Sequence, residues 1–207
     1  MRAVSDFDRI APHLALWHGY DSAVKAELYS TCILTPRGAY LIDPIPLQSE
    51  TLDELVGSSC VSGIIVTNSN HHRASSQFAE QLSIPVFAHC GTFSDKMPRP
   101  FRKVADGDEI CDGLGLSGIE GAVAGEIVLH YAPGGGTLIV GDALINFEPY
   151  GFTFLPAKYC SNEKEMRRSL RKLLRYKADR MLFAHGSPIL SGANERLQAL
   201  LGRPKTD

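Results

Sequence analysis

The chain has 207 residues, enough for one domain of ordinary size with a substantial core. Hydrophobic residues make up 44% of it, which is typical of a soluble globular protein and excludes a largely disordered one. The formal net charge of −2 gives no electrostatic reason to expect nucleic acid or an anionic membrane surface as a partner.

The first half of the chain predicts β-strands with short helices between them. Strands are expected at 14–20, 28–35, 39–43, 63–67 and 85–89, and helices at 49–56 and 74–82. The turn Thr35-Pro36-Arg37-Gly38, with proline second and glycine fourth, joins two of these strands into a hairpin. Residues 91–107 show no periodic pattern and are predicted to form a surface loop.

The second half continues the alternation of strands and helices. A hairpin is predicted at 127–131 and 137–140, and its glycine-rich turn lacks the lysine of a phosphate-binding loop. A helix capped by Asn162, a buried strand and a closing helix follow, at 162–177, 181–184 and 193–201. Residues 203–207 are predicted to be a frayed tail. Because no linker or composition break divides the chain, we predict one domain over residues 1–207.

Five cysteines are scattered along the chain, an odd number without a Cys-x-x-Cys pair. This pattern argues against a disulfide framework and favours reduced thiols. The N-terminal residues lack the apolar core of a secretion signal, and no apolar run has the length of a membrane span. We therefore expect a cytoplasmic protein without a membrane partner.

The residues of most chemical interest follow the predicted strand at 63–67. The apolar run ends in the polar loop Asn68-Ser69-Asn70-His71-His72-Arg73, and a helical pattern begins directly after it. Loops of this kind, between the end of a strand and the start of a helix, are where α/β proteins place chemistry. The loop is therefore the first candidate for a functional site.

This stretch resembles the metallo-beta-lactamase superfamily, in which such a strand is followed by Thr-His-x-His-x-Asp-His. Aligned on Thr67, the first two histidines are replaced by Asn68 and Asn70. The aspartate is replaced by His72 and the last histidine by Arg73. Four more segments match the family in the correct order, at 41–44, 121–126, 138–144 and 183–186. The resemblance implies an α/β fold of the α+β type, a four-layer αββα sandwich, which periodicity alone does not predict.

The resemblance also implies a decayed dinuclear zinc site. The first metal position would retain only Asn68, Asn70 and Asp142, because Ala122 stands where the family has a third histidine. Neutral amides are poor ligands for zinc, which prefers imidazole, thiolate or carboxylate. We therefore expect no metal at the first position.

At the second position two outcomes stay open. His72, Asp142 and His185 offer two imidazoles and a carboxylate, enough for one zinc or ferrous ion, with His71 as an extra donor. Against a metal stands Arg73, because its guanidinium stays protonated and cannot be a ligand. In a metal-free site, Arg73 would form a bidentate pair with Asp142.

These outcomes correspond to two functions. The first is a hydrolase of an ester, thioester or lactone with at most one weakly bound metal, in which Asp142, Arg73 and His72 are the catalytic residues and Arg73 steadies the oxyanion. The alternative is a metal-free pseudo-enzyme that binds a small anionic ligand or a protein partner through Arg73 and the cleft histidines. The remaining binding residues are predicted to be Asn68, Asn70 and His71.

An aromatic-rich stretch at 146–160 directly follows Asp142 and is predicted to hang over the mouth of the cleft. It has three interpretations: a substrate lid, a homodimer contact, or a cluster that packs the loop onto its own core.

Overall fold

Two large β-sheets pack face to face at the centre of the protein. The first has seven strands that lie side by side in chain order: β1 (Asp8–Ala11), β2 (Leu14–Asp21), β3 (Ala26–Thr35), β4 (Gly38–Ile42), β5 (Val61–Val66), β6 (Val86–His89) and β7 (Phe101–Val104). β1 to β4 are antiparallel neighbours, whereas β4 to β7 run parallel to one another. This computed structural model describes residues 1–94 and 97–202, so the predicted tail at 203–207 lies outside the described residues.

The second sheet is built from the later part of the chain. It begins with β8 (Glu109–Cys111), β9 (Leu114–Gly118), β10 (Ile127–Tyr131) and β11 (Thr137–Val140). A separate two-stranded hairpin follows, formed by β12 (Leu144–Phe147) and β13 (Gly151–Phe154). The fifth strand of the sheet, β14 (Arg180–Phe183), then pairs in parallel with β11. The spatial order is β14, β11, β10, β9, β8.

Helices cover the outer face of each sheet. α1 (Ser49–Val56) and α2 (Ser75–Leu82) contribute buried residues to the core outside the first sheet. α3 (Glu163–Leu170) and α4 (Ala193–Gly202) do the same outside the second sheet. A third cluster of buried residues comes from both sheets and lies between them. Three cores between four layers confirm the αββα sandwich.

The strand sequences show why the layers form. Along β5, Ile64 and Val66 belong to the outer core with the helices, whereas Ile65 belongs to the core between the sheets. β11 alternates in the same way, with Leu138 facing α3 and α4 and Ile139 facing the first sheet. Successive side chains of a strand point to opposite faces of its sheet. A strand that is apolar on both faces must therefore be covered on both sides, here by helices on one side and by the other sheet on the opposite side.

The same topology brings four strand ends together. β4 and β5 are parallel, as are β11 and β14, so the carboxyl ends within each pair meet at one edge. Backbone hydrogen bonds join the sheets there: Tyr29 N donates to Ala184 O over 3.0 Å and Ile127 N donates to Thr67 O over 2.8 Å. Polar residues that directly follow these four strands therefore lie close to one another at this edge.

Two predicted loops contain regular structure. The surface loop expected at 91–107 includes β7, which is an edge strand. Its two middle residues, Arg102 and Lys103, are both exposed and charged, so its sequence lacks the alternation of apolar and polar residues that predicts a strand. The aromatic stretch at 146–160 includes β13 and the end of β12. The helix expected at 162–177 is regular only to Leu170 and continues as a 3-10 turn to Arg175.

None of the helices that the structure describes is long and apolar enough to cross a membrane.

Candidate metal centre

Two histidines and one aspartate converge where β5, β11 and β14 end. Nε2 of His71 lies 3.1 Å from Oδ1 of Asp142 and 3.3 Å from Nε2 of His185. His185 Nε2 is also 3.3 Å from the same aspartate oxygen. The His71 side chain is 2% exposed and that of Asp142 7%, whereas that of His185 is 22% exposed. The three residues form a candidate metal-binding group with one accessible side.

A tight turn after β5 places His71 in this group. The side-chain oxygen of Asn68 accepts the backbone N–H of Asn70 over 2.9 Å, and the backbone carbonyl of Asn68 accepts that of His71 over 3.2 Å. Asn68 thus forms an Asx-turn, a structure that asparagine favours because its short side chain reaches the backbone two residues on. The turn directs His71 inward before α2 begins.

Asp43, directly after β4, holds His71 from behind. Its Oδ2 accepts the His71 Nδ1–H over 2.8 Å and the Thr67 hydroxyl over 2.6 Å, while Oδ1 accepts the Thr67 backbone N–H over 2.8 Å. Because Nδ1 donates to a carboxylate, Nε2 is the nitrogen that faces Asp142 and His185. A carboxylate behind a histidine is the usual arrangement for fixing a metal ligand. Asp43, Thr67, Asp142 and His185, each at or just after the end of a strand, are thus linked through His71 in one cleft.

The backbone is strained at two positions of this cluster. Asp43 has φ of +47° and Arg73 has φ of +40°, in the left-handed region that residues other than glycine seldom adopt. Such strain costs on the order of 1–3 kcal/mol per residue and persists only where the surroundings fix the conformation. Here the hydrogen bonds of the Asp43 carboxylate and of the Arg73 guanidinium do so.

The charged groups of the cluster shift one another's pKa values toward the charged forms. Burial acts to lower the pKa of His71, but the carboxylates of Asp43 and Asp142 outweigh it and raise the pKa to about 9. Burial acts to raise the pKa values of Asp43 and Asp142, and the neighbouring histidines outweigh it, so that both lie below their ordinary value. The metal-free cluster therefore contains two carboxylates paired with a protonated His71.

A third carboxyl group lies beside the cluster. Glu126 is buried, with Oε2 accepting from Asn68 Nδ2 over 2.7 Å and Oε1 accepting from Ala143 N over 3.0 Å. Burial and the negative charge of Asp142 raise its pKa to about 8. Burial and the neighbouring Asp142 thus disfavour a third negative charge in the cleft.

His72 lies elsewhere than the alignment predicts. Its Nε2 donates to the carbonyl of Thr92 over 2.7 Å, and its ring stacks on Phe93 with centroids 4.3 Å apart. Adjacent residues of the turn point in different directions, and His71 rather than His72 points to Asp142. The predicted set His72, Asp142, His185 is therefore replaced by His71, Asp142, His185, with His72 outside it.

Arg73 also differs from its predicted position. Its guanidinium donates to the carbonyls of Tyr29 over 2.6 Å and Asp43 over 2.9 Å, and more weakly to that of Ala184 over 3.4 Å. Arg73 and Asp142 form no ion pair in the described part of the chain, so the predicted bidentate pair is not formed. Arg73 instead donates to carbonyl groups of the first sheet and of the residue after β14, and three of its five N–H donors are used in this way.

Asn68 and Asn70 both reach the cleft. Asn70 Nδ2 donates to Oδ2 of Asp142 over 2.9 Å, and Asn68 donates to Glu126. Ala122, at the family's third-histidine position, is buried in the core between the second sheet and its helices. Hydrogen bonds among protein groups thus engage both asparagines at the place where the resemblance puts the first metal.

Gly141 supplies a further test of this packing. A β-carbon there would lie 2.6 Å from Thr67 Oγ1, 2.8 Å from Asn68 Nδ2 and 2.9 Å from Glu126 Oε1, closer than real contacts allow. We expect Gly141→Ala to lower the free energy of unfolding by about 1–3 kcal/mol, the usual cost of overpacking. Urea unfolding measures it, with Gly202→Ala as control because nothing lies within 4 Å of a β-carbon there. Equal stability of the two variants contradicts the packing described.

The aromatic stretch at 146–160 divides into two parts. Phe154 is buried and Phe152 packs on Phe183, with ring centroids 5.7 Å apart, as the core-packing interpretation predicts. Phe147 and Tyr150 are exposed at the turn of the hairpin. Backbone N–H of Asn146 donates to the carbonyl of His185 over 3.2 Å, so the hairpin is attached beside a member of the candidate group. The substrate lid and the homodimer contact stay predictions for the exposed rings.

Sequence reasoning did not assign roles to Asp43 and Glu126. A signal existed for Asp43, because it ends the predicted strand that comes before the Thr67 strand along the chain. In the structure the two strands are parallel neighbours, so their carboxyl ends meet. Glu126 carried a weaker signal, since it is the last residue of the segment 121–126 that matches the family.

Known proteins agree with this architecture. A sequence profile of the metallo-beta-lactamase superfamily matches residues 7–203. The solved structure of DIM-1 metallo-beta-lactamase gives a TM-score of 0.74 at 15% identity, covering 95% of this chain and 96% of that one. A metallo-beta-lactamase from Pontibacter korlensis gives 0.70 at 16% identity, covering 96% and 99%. One from Erythrobacter litoralis gives 0.68 at 16% identity, covering 94% and 91%. Curated protein sequences give no match.

The low identities mean that these structures establish the fold and leave the activity open. The sequence profile covers nearly the whole chain, and the αββα sandwich places a His/Asp/His group where its strands end. The chain therefore belongs to the metallo-beta-lactamase superfamily.

Proposed function

We propose that the protein is a hydrolase of an ester, thioester or lactone that works with one divalent metal ion held by His71, Asp142 and His185. The observation that carries the proposal is the convergence of three ligand atoms, His71 Nε2, Asp142 Oδ1 and His185 Nε2, at mutual distances of 3.1 to 3.3 Å.

These distances fit a tetrahedral ion. Bonds of about 2.0–2.1 Å to imidazole nitrogen and carboxylate oxygen place neighbouring ligands of a tetrahedron about 3.3–3.4 Å apart. Two imidazoles and a carboxylate suit zinc or ferrous iron, and three protein ligands leave a position for water or substrate. The residues present therefore fit one ion.

The chain's own residues supply the rest of the arrangement. Asp43 and Thr67 fix the orientation of His71, and the partly exposed His185 forms the open side of the cleft. A bound ion would polarise a substrate carbonyl and lower the pKa of a coordinated water. Backbone carbonyls use both Nη1 hydrogens of Arg73, so its fork is not presented to the cleft for bidentate binding of a phosphoryl group, and this supports a neutral acyl substrate.

One observation favours the alternative of a metal-free binding protein. His71 Nε2 is already within hydrogen-bonding distance of Asp142, so the cluster is satisfied without an ion. In that case a small anionic ligand would meet the cleft histidines, because Arg73 donates to backbone carbonyls instead. Metal content and turnover distinguish the two functions.

The test is a comparison of hydrolysis with and without metal. Purified protein is stripped with a chelator, reloaded with one equivalent of zinc or ferrous iron, and assayed on a simple aryl ester, an acyl thioester and a γ-lactone. We expect turnover of one class that depends on metal and is lost in His71→Ala. Absence of turnover on all three classes, from protein shown to hold the metal, contradicts the proposed activity.

Metal affinity should also depend on pH in a defined direction. His71 must lose its Nε2 proton before it can bind an ion, and its pKa is raised to about 9 by Asp43 and Asp142. We therefore expect the zinc association constant to rise about tenfold per pH unit between pH 7 and 8 and to level off above about 9. Competition with a chromophoric chelator, corrected for the chelator's own protonation, measures this dependence; a flat profile contradicts it.

A further inference from the structure

A closed set of hydrogen bonds surrounds the carboxylate of Asp142. Asn70 Nδ2 donates to Oδ2 of Asp142 over 2.9 Å, and the backbone N–H of Asn70 donates to Oδ1 of Asn68 over 2.9 Å. Asn68 Nδ2 donates to Glu126, and the other oxygen of Glu126 accepts the backbone N–H of Ala143, the residue after Asp142. The set therefore begins at the Asp142 carboxylate and ends at the backbone of the next residue, Ala143.

Each amide group in this set has only one orientation that satisfies it. Asn68 is fully buried, with its oxygen accepting from Asn70 and its nitrogen donating to Glu126, so a flip would break both bonds. Asn70 is thereby held at its backbone, which limits where its side-chain NH₂ can point. A β-carbon at Gly141 would lie 2.8 Å from Asn68 Nδ2 and 2.9 Å from Glu126 Oε1, so the backbone after β11 packs closely against this arrangement.

The two oxygens of Asp142 have separate partners as a result. Oδ1 faces His71 and His185, whereas Oδ2 is occupied by the amide of Asn70. A carboxylate that accepts a hydrogen bond on one oxygen offers the other to a metal as a single ligand.

We infer that Asn70 is a positioning residue that keeps Asp142 a one-oxygen ligand for a single metal ion, with Asn68 and Glu126 holding Asn70 in place. The inference rests on the proposed function. The NH₂ of Asn70 also directs its hydrogens toward Oδ2, where a second cation bridged by Asp142 would have to bind. Asn68 and Asn70 are thus a replacement for the second ion and set the metal stoichiometry at one.

Cobalt(II) substitution tests the inference, because its visible absorption reports the number of ligands. The variant is Asn70→Ala, and the control is Ser69→Ala, a neighbour whose side chain makes no hydrogen bond in the part of the chain that the structure describes. We expect Asn70→Ala to bind cobalt about 10–100-fold more weakly, as loss of an outer partner usually does. Its absorption should change as Asp142 Oδ2 becomes free to coordinate, whereas Ser69→Ala should match the parent in both respects. Parent-like affinity and absorption in Asn70→Ala overturn the inference.

A metal-free measurement separates this inference from the proposed function. If the parent binds no cobalt, the proposed function fails, and the ¹⁵N resonances of the imidazoles then decide the role of Asn70. Release of Oδ2 lets the Asp142 carboxylate rotate, so the Nε2 resonances of His71 and His185 should move in Asn70→Ala and stay in place in Ser69→Ala. Unchanged resonances in Asn70→Ala overturn the positioning role whether or not metal binds.

Discussion

Replacing His71 by alanine is expected to weaken zinc binding by at least about 100-fold, whereas His72→Ala should leave it within a few-fold of the parent. The upper range for losing an outer partner is about 100-fold, and loss of a direct ligand costs more. His71 Nε2 lies at the centre of the candidate group, while His72 donates to Thr92 and stacks on Phe93 away from it. Competition with a chelator of known affinity measures both variants.

The two variants serve as controls for each other, because they are neighbours and make the same chemical change. Circular dichroism and urea unfolding confirm that each is folded before metal is added. A larger loss of affinity in His72→Ala than in His71→Ala would falsify the ligand set described here and restore the one that the alignment predicts.

Asp43→Asn is expected to affect both stability and metal binding. Asp43 is buried and accepts three hydrogen bonds, two of them from Thr67 and one from His71. An amide of the same shape would direct its NH₂ at one or more of these donors, and it would leave a buried His71 without its counter-charge. We expect the free energy of unfolding at pH 7 to fall by about 3 kcal/mol, the range for breaking a buried pair, and zinc affinity to fall about 10–100-fold.

The stability change has its own control and a defined pH dependence. Asp53→Asn alters an exposed carboxylate on α1 and should stay within about 0.5 kcal/mol of the parent. Because the pKa of Asp43 lies below its ordinary value, its contribution is present above about pH 4 and is lost as pH falls through its folded-state value. The difference between parent and Asp43→Asn should therefore shrink in acid. A difference that stays constant down to pH 2 contradicts the role assigned to Asp43.

Much of the fold follows from local patterns in the sequence. Strands β4, β5 and β11 are apolar on both faces, and the change from strand to helical period after Thr67 locates the loop that carries the site. β7 was missed because Arg102 and Lys103 give an edge strand the composition of a loop. The packing of two sheets came from the family resemblance, since local periodicity carries no information on which face meets which.

The site was predicted at the level of its strand ends but not of its side chains. Asp142 and His185 follow strands whose ends must meet, so both lie where expected. His71 and His72 are adjacent, and the turn formed by Asn68 together with the positive φ of Arg73 decides which one faces inward. The predicted pair of Arg73 with Asp142 rested on charge alone. In the structure the Arg73 guanidinium donates instead to backbone carbonyls near the strand ends, which have to be hydrogen-bonded when they are buried.

One metal ion held by His71, Asp142 and His185 is the arrangement proposed for this chain. The measurement that decides it is the zinc content, by elemental analysis against protein concentration, of protein that has been stripped, reloaded with excess zinc and dialysed. We expect about one zinc per chain in the parent and in His72→Ala, and almost none in His71→Ala. Retention of two zinc ions per chain, or of none in the parent, contradicts it.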